Sequence, residues 1–141
     1  MKPANVELVQ RTFAEVAPIS EQAAALFYGR LFEIAPEVKP MFKGEMVEQG
    51  RKLMSTLSVV VRGLSDLPSI LPAASALAKK HVGYGVKASH YEPVGAALLW
   101  TLEKGLGEKW TPDVAAAWTE AYVTLSGFMI GEAYGEAEAA E

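Results

Sequence analysis

Two histidines are the only imidazoles in this chain of 141 residues, and it contains no cysteine. His81 follows Leu77 by one helical turn and comes directly after Lys79 and Lys80. It reads either as a metal ligand on an apolar helix side or as a cation favoured by the negative end of a helix. His90, beside Ser89 at the start of the next predicted helix, reads as a solvated structural residue. Neither histidine has a partner at the His-x-x-x-His or Glu-x-x-His spacing that zinc and di-iron sites use. The absence of cysteine excludes disulfides, thiolate catalysis, iron–sulfur clusters and cysteine-ligated zinc or haem. No glycine-rich phosphate loop and no nucleophilic triad can be recognised.

The elements that must position these residues are helical almost throughout. Val6, Leu8, Val9, Phe13 and Val16 give an apolar period over residues 4–16. Ser20 is placed to cap a second helix whose stripe is Ala24, Phe27, Tyr28, Leu31 and Phe32. Pro36 and Pro40 bracket a constrained turn ending at Met41-Phe42. A longer helix follows from about Met46 to Leu64, with Gln49, Leu53, Leu57, Val60, Val61 and Leu64 in line, until Ser65-Asp66-Leu67-Pro68 breaks it. The helix of His81 is expected over Ile70–Val82, ended by Gly83 and Gly85. Ser89-His90-Tyr91-Glu92 has the form of a capping box opening a helix to Leu106. Thr111-Pro112-Asp113 supplies an N-cap, a proline at the first helical position and an acid in the first turn of a last helix, expected to reach about Tyr134. No stretch alternates long enough to be a strand, so the expected class is all-α.

Half the residues are hydrophobic and 21% charged, which is a globular composition. A chain of this size buries roughly 68–70% of its unfolded surface, enough for one core. A single domain over 1–141 is expected, with an Ala/Glu-rich acidic tail, about 133–141, that frays. The net charge of −4 offers no general attraction for nucleic acid or anionic membrane. The N-terminal residues lack an apolar run of signal-peptide length, and LMSTLSVVVRGL is interrupted by Arg62. A cytoplasmic protein with no nucleic-acid or membrane partner is expected.

Five motifs occur in order along the chain. They are Phe-Tyr-x-x-Leu-Phe, Pro-Glu-Val-x-Pro-x-Phe, Lys-His-x-x-x-Gly-Val, His-Tyr-x-x-Val-Gly and Ala-Trp-x-x-Ala-Tyr. Together they closely resemble the globin domain of bacterial single-domain haemoglobins and flavohaemoglobins, from about residue 5 to 131. The resemblance implies a globin fold around haem b (iron protoporphyrin IX), with His81 as the proximal iron ligand. It implies that Phe42 packs on the haem face, that Tyr28 is the distal tyrosine, that Gln49 is the distal glutamine and that Leu53 is the apolar residue one turn later. Leu77 would line the cofactor on the proximal side, and Tyr91 would stand close to the proximal histidine. Tyr28, Gln49 and Tyr91 are the residues through which the resemblance implies activity. A phenol donor can stabilise charge on a bound gas, an amide competes weakly for iron, and apolar neighbours keep the face dry.

Each of these residues also has a plain structural reading. Tyr28 could be a core tyrosine with a satisfied hydroxyl, and Gln49 an exposed residue near a helix start. Phe42, Leu53 and Leu77 would be core residues in any helical fold. The stretch from Phe42 to Gln49 is short, and a slipped register would turn Glu48 or Lys52 to the pocket instead. Glu92 intervenes between the His-Tyr pair and Pro93, where the family often has proline directly. Glu132, the candidate acid for a proximal network with Tyr91, sits one position early by its spacing from Trp118; one residue turns a helical side chain by about 100°.

Two function classes follow from the resemblance. One is an oxygen-binding carrier or store for dioxygen, with nitric oxide and carbon monoxide as further ligands. The other is an enzyme, a nitric oxide dioxygenase drawing electrons from a separate reductase. A haem-based gas sensor and a haem-free helical bundle of phycobiliprotein-like kind are the remaining readings; without cysteine the latter has no covalent bilin anchor.

Overall fold

The computed structural model describes residues 2–42, 45–83 and 87–140, apart from the side chains of 83, 88 and 133–140. Six α-helices are found among them: α1 (Pro3–Val16), α2 (Ser20–Ile34), α3 (Met46–Gly63), α4 (Leu67–Gly83), α5 (Tyr91–Leu106) and α6 (Pro112–Ala140). Short 3-10 turns join them at Ala17–Ile19, Pro36–Met41, Leu64–Asp66, Ala88–His90 and Gly107–Lys109. No strand occurs among the described residues, and the all-α expectation holds.

Local chemistry explains most boundaries. Thr111 Oγ1 accepts the Val114 N–H at 3.3 Å, the cap that Thr-Pro-Asp foretells. α5 stops at Leu106 because Gly107 takes φ +56°, a conformation that L side chains rarely adopt. Two expected caps are not used. Ser20 lies inside α2 and its N–H bonds back to the Ala17 carbonyl, so the preceding 3-10 turn satisfies the helix start. Likewise α5 begins at Tyr91 after the turn containing Ser89, with no side-chain cap. α4 starts at Leu67, three residues earlier than expected, which leaves Pro68 in the first turn and Pro72 within the helix. Prolines in a first turn are tolerated because those N–H groups lack partners anyway. Gly85, expected to help end α4, lies outside the described residues. α6 runs to Ala140 rather than Tyr134, alanine and glutamate both favouring helix.

α2 is central: it packs on α5 and on α3, while α1 and α4 lie against α6. Val9, Leu31, Ala97 and Ala117 are fully buried where these helices meet. Trp118 is buried as well, and its Nε1–H donates to Thr12 Oγ1 at 2.9 Å. That hydroxyl in turn donates to the Leu8 carbonyl at 2.6 Å, so the buried polar pair is satisfied. Counted as one run, Met46–Val82 is long and apolar enough to cross a membrane, with mean hydropathy 1.2. The turn at Leu64–Asp66 instead divides it into two helices, whose Val61, Leu64, Ile70, Ala74 and Ala78 are buried.

Candidate functional site

The first cluster forms where α2 meets α3. Gly50 on α3 faces Ala24 on α2, and a Cβ added to Gly50 would stand 2.9 Å from the Ala24 methyl. Only glycine permits so close a crossing. The crossing brings the neighbouring carbonyl of Gln49 within reach of Tyr28, whose hydroxyl donates to it at 3.2 Å. The Tyr28 ring is held edge-on by Phe27 and Phe42, each with centroids 5.2 Å away, and stacks on Phe32 at 6.0 Å. Phe42 follows directly on the Pro36–Met41 turn, which delivers it to this aromatic group. Burial pushes the Tyr28 hydroxyl up to about 12, because a phenolate there would lose its hydration. Tyr28 is therefore a neutral O–H donor at neutral pH. Gln49 and Leu53 are half-buried, whereas Glu48 and Lys52 are exposed.

The second cluster joins α4, α5 and α6. His81 is half-buried on the last turn of α4, one turn beyond half-buried Leu77, and its Nδ1 is shielded from solvent. Burial holds its pKa below the ordinary histidine value, leaving a neutral imidazole. Tyr91, the first residue of α5, presents its ring edge-on to His81, with centroids 6.4 Å apart and planes at 82°. Tyr122 of α6 fixes the Tyr91 backbone by donating its hydroxyl to the Tyr91 carbonyl at 2.5 Å. One turn further, Gly95 makes room for the Tyr122 ring: a Cβ there would lie 2.5 Å from Cε2. Desolvation first, and the nearby Tyr91 second, drive the Tyr122 pKa upward.

His90 and Glu132 stand apart from both clusters. His90 Nδ1 accepts the Lys87 N–H at 3.0 Å and closes the turn before α5, the structural role expected of it. Glu132 is exposed, and its Oε1 accepts a hydrogen bond from Ser75 at 2.8 Å. Tyr28, Phe42 and Gln49 thus share one cluster, with Leu53 one turn along α3; Leu77, His81 and Tyr91 belong to the other. α3 packs on α4 and α2 on α5, which places the two clusters on touching elements.

Sequence reasoning gave no role to Tyr122, Gly95 or Gly50, although the first two fall within recognised motifs and Gly50 follows the candidate Gln49. The signal was present: a glycine four residues after Tyr91, inside a helix where glycine costs about 1 kcal/mol relative to alanine, calls for a packing reason. No group of three or more His, Asp or Glu side chains able to hold a metal ion exists among the described residues. A lone neutral imidazole suits a metal whose remaining donors come from its own macrocycle, and does not suit a bare divalent ion needing three or four protein ligands.

The globin family model matches residues 25–129 of the chain. A flavohemoprotein of Chromobacterium violaceum is 34% identical over 137 residues, covering 91% of this chain and 34% of that protein. A flavohemoprotein of Rhodopirellula baltica is 33% identical over 130 residues, covering 90% of this chain and 32% of that one. The chain spans about a third of the length of these relatives. Among solved structures, an engineered carbene transferase of Rhodothermus marinus, named for nitric oxide dioxygenase, superposes with a TM-score of 0.84. It is 27% identical, and the match covers 100% of this chain and 99% of that one. A bacterial globin from Campylobacter jejuni shares the fold at a TM-score of 0.82 and 24% identity, over 99% of this chain and 100% of its own. By the family match over residues 25–129, the chain belongs to the globin family.

Proposed function

We propose that this globin holds one haem, as haem b, through His81 and binds dioxygen reversibly beside Tyr28 and Gln49. The observation that carries the reading is the neutral, half-buried imidazole of His81 on the last turn of α4. When bound, the haem supplies the gas-binding and redox chemistry. The chain's own residues do the rest. A neutral ring nitrogen of His81 offers its lone pair to the metal. Tyr91 packs edge-on against the imidazole and restrains its rotation, and Tyr122 holds the Tyr91 backbone in place. Phe42, Leu53 and Leu77 wall the site with apolar surface and exclude water, which strengthens every hydrogen bond inside. Tyr28 supplies an O–H donor that burial keeps protonated, and Gln49 contributes a second polar side chain at the start of α3.

The experiment is an absorption spectrum of the haem-reconstituted chain. A Soret band is expected in the parent and in His90→Ala, and its loss in His81→Ala and His81→Leu. Retention of an unchanged band without His81, or its loss without His90, overturns the assignment. The names of the similar proteins support a second reading on the same site. Given dioxygen and a separate electron-donating reductase, the loaded protein would combine nitric oxide with dioxygen to give nitrate, one electron from the reductase per turnover restoring the ferrous state. Stopped-flow nitric oxide consumption, with and without an added reductase, separates carrier from enzyme.

A further inference from the structure

The hydroxyl of Tyr28 carries a single hydrogen, and the structure directs it at the backbone carbonyl of Gln49, 3.2 Å away. That carbonyl lies inside α3, where it also faces the N–H of the next turn, so Tyr28 is a donor added to the helix's own ladder. At the start of α3, Glu45 at the N-cap makes no side-chain capping bond, and the exposed Arg51 pairs with Glu21 of α2 at 3.6 Å. The Tyr28–Gln49 link spans 21 residues and stands beside the Gly50–Ala24 contact, so it fastens the first turns of α3 to α2.

We infer that Tyr28 is a one-proton switch between α3 and the ligand pocket. Its hydroxyl donates either to the Gln49 carbonyl, fastening α3, or to a ligand that accepts hydrogen bonds, releasing α3. The inference rests on the reading of Tyr28 as a pocket residue of a haem globin. It goes beyond that reading in making the resting acceptor a competitor of the ligand. A ligand with strong acceptor character, such as dioxygen, draws the hydrogen away from Gln49. Carbon monoxide, a weak acceptor, leaves it there. The ligand's chemistry then decides how firmly the start of α3 is held, and breaking the Tyr28–Gln49 bond offsets part of what oxygen gains from the phenol. A substitution that weakens the resting bond without touching the phenol should therefore favour oxygen.

The test uses the full-length, haem-loaded ferrous protein and amide hydrogen exchange over residues 46–57. The parent is expected to exchange there about fivefold faster under dioxygen than under carbon monoxide, the equilibrium equivalent of one neutral hydrogen bond. In Tyr28→Phe, which keeps the ring packing, exchange is expected to be fast under both gases. Gly50→Ala pushes α3 away from Ala24 and lengthens the resting bond. It is expected to exchange fast under both gases and to raise the oxygen-to-carbon-monoxide affinity ratio about fivefold. Equal exchange under the two gases in the parent overturns the switch. So does a gas-dependent difference that persists in Tyr28→Phe, or an affinity ratio that falls in Gly50→Ala. Failure of the haem reading is separately visible as a missing Soret band, which removes the ligand half of the switch. The fastening half is then read in the purified chain, where Tyr28→Phe must speed exchange over residues 46–57.

Discussion

The crossings of α2 with α3 and of α5 with α6 are built alike and set to different tightness. In each, a glycine admits a neighbouring element and a tyrosine, buried at position 28 and half-buried at 122, donates its hydroxyl to a backbone carbonyl close by. At the α5–α6 crossing the bond measures 2.5 Å, and a Cβ on Gly95 would enter the body of the Tyr122 ring. At the α2–α3 crossing the bond is 3.2 Å, and a Cβ on Gly50 would press on a single methyl at 2.9 Å. A ring gripped by a backbone cannot shift without dislodging the helix, whereas a long bond beside one methyl can be exchanged for another. The difference teaches which side is built to hold and which to yield. The firm crossing stands under His81, and the loose one beside the pocket tyrosine.

Breaking the firm crossing should give the largest effect. Gly95→Ala overpacks the Tyr122 ring and disrupts its hydrogen bond, against a gain in helix propensity, for a net loss of about 3 kcal/mol. Gly50→Ala meets only the Ala24 methyl and gains the same propensity, so its net loss should stay within about 1 kcal/mol. Denaturant unfolding followed by circular dichroism measures both. Equal losses at the two glycines would erase the contrast between the crossings.

The next effect lies on the yielding side. A hydrogen bond from Tyr28 to a polarised acceptor contributes about 1.5–3 kcal/mol. In the haem-loaded protein, Tyr28→Phe should therefore speed oxygen dissociation roughly ten- to a hundredfold. Carbon monoxide dissociation should change far less, since it accepts hydrogen bonds poorly. Stopped-flow ligand replacement reads both. An oxygen rate within about twofold of the parent, even when Gln49→Leu is added, would remove Tyr28 from the ligand's surroundings.

Alkaline pH sharpens the same contrast. Tyr28 is raised to about 12 from the ordinary 10.0. The folded chain therefore holds its proton where the unfolded chain releases it. Stability from this group is complete below pH 10 and is lost as pH rises toward 12, by about 2 kcal/mol in all. Tyr28→Phe should show a shallower decline than the parent over that window, and should overtake it near the top. Tyr122 is driven higher still, so Tyr122→Phe should flatten the curve more. Parallel curves for the parent and both variants would contradict the burial of these hydroxyls.

The fold was legible wherever a boundary depends on neighbouring letters. Thr111-Pro112-Asp113 acts within one turn of itself and was read at the right place, as was the end of α5 at Leu106, though not the glycine that sets it. Ser20 and Ser89 misled because 3-10 turns run straight into α2 and α5, so a backbone carbonyl does what a serine side chain was expected to do. The site shows the same divide. Residue types and spacing marked Tyr28, Gln49, His81 and Tyr91 as candidates. Their partners were not legible, because the acceptors of Tyr28 and Tyr122 are carbonyls, and a carbonyl is present at every letter. Only the glycines that allow the close approach leave a trace in the sequence, and it is a trace of packing rather than of chemistry.

The smallest effect is the most exacting test of the two crossings. Tyr122→Phe and Tyr28→Phe each delete one oxygen and keep the ring, so the change in apolar packing is nearly the same. What differs is the bond lost. At 2.5 Å, the Tyr122 bond is short and part-buried, so its loss should cost about 1.5 kcal/mol. At 3.2 Å, the Tyr28 bond is an addition to a helical carbonyl that the α3 ladder also serves, so its loss should cost less, about 1 kcal/mol. Both are measured at pH 7, in the ligand-free protein, by denaturant unfolding with a common slope. The double variant should be additive, because the two bonds share no partner. If Tyr28→Phe proved the costlier of the pair, the α2–α3 crossing would be the lock, and the pocket tyrosine could not be the group that yields.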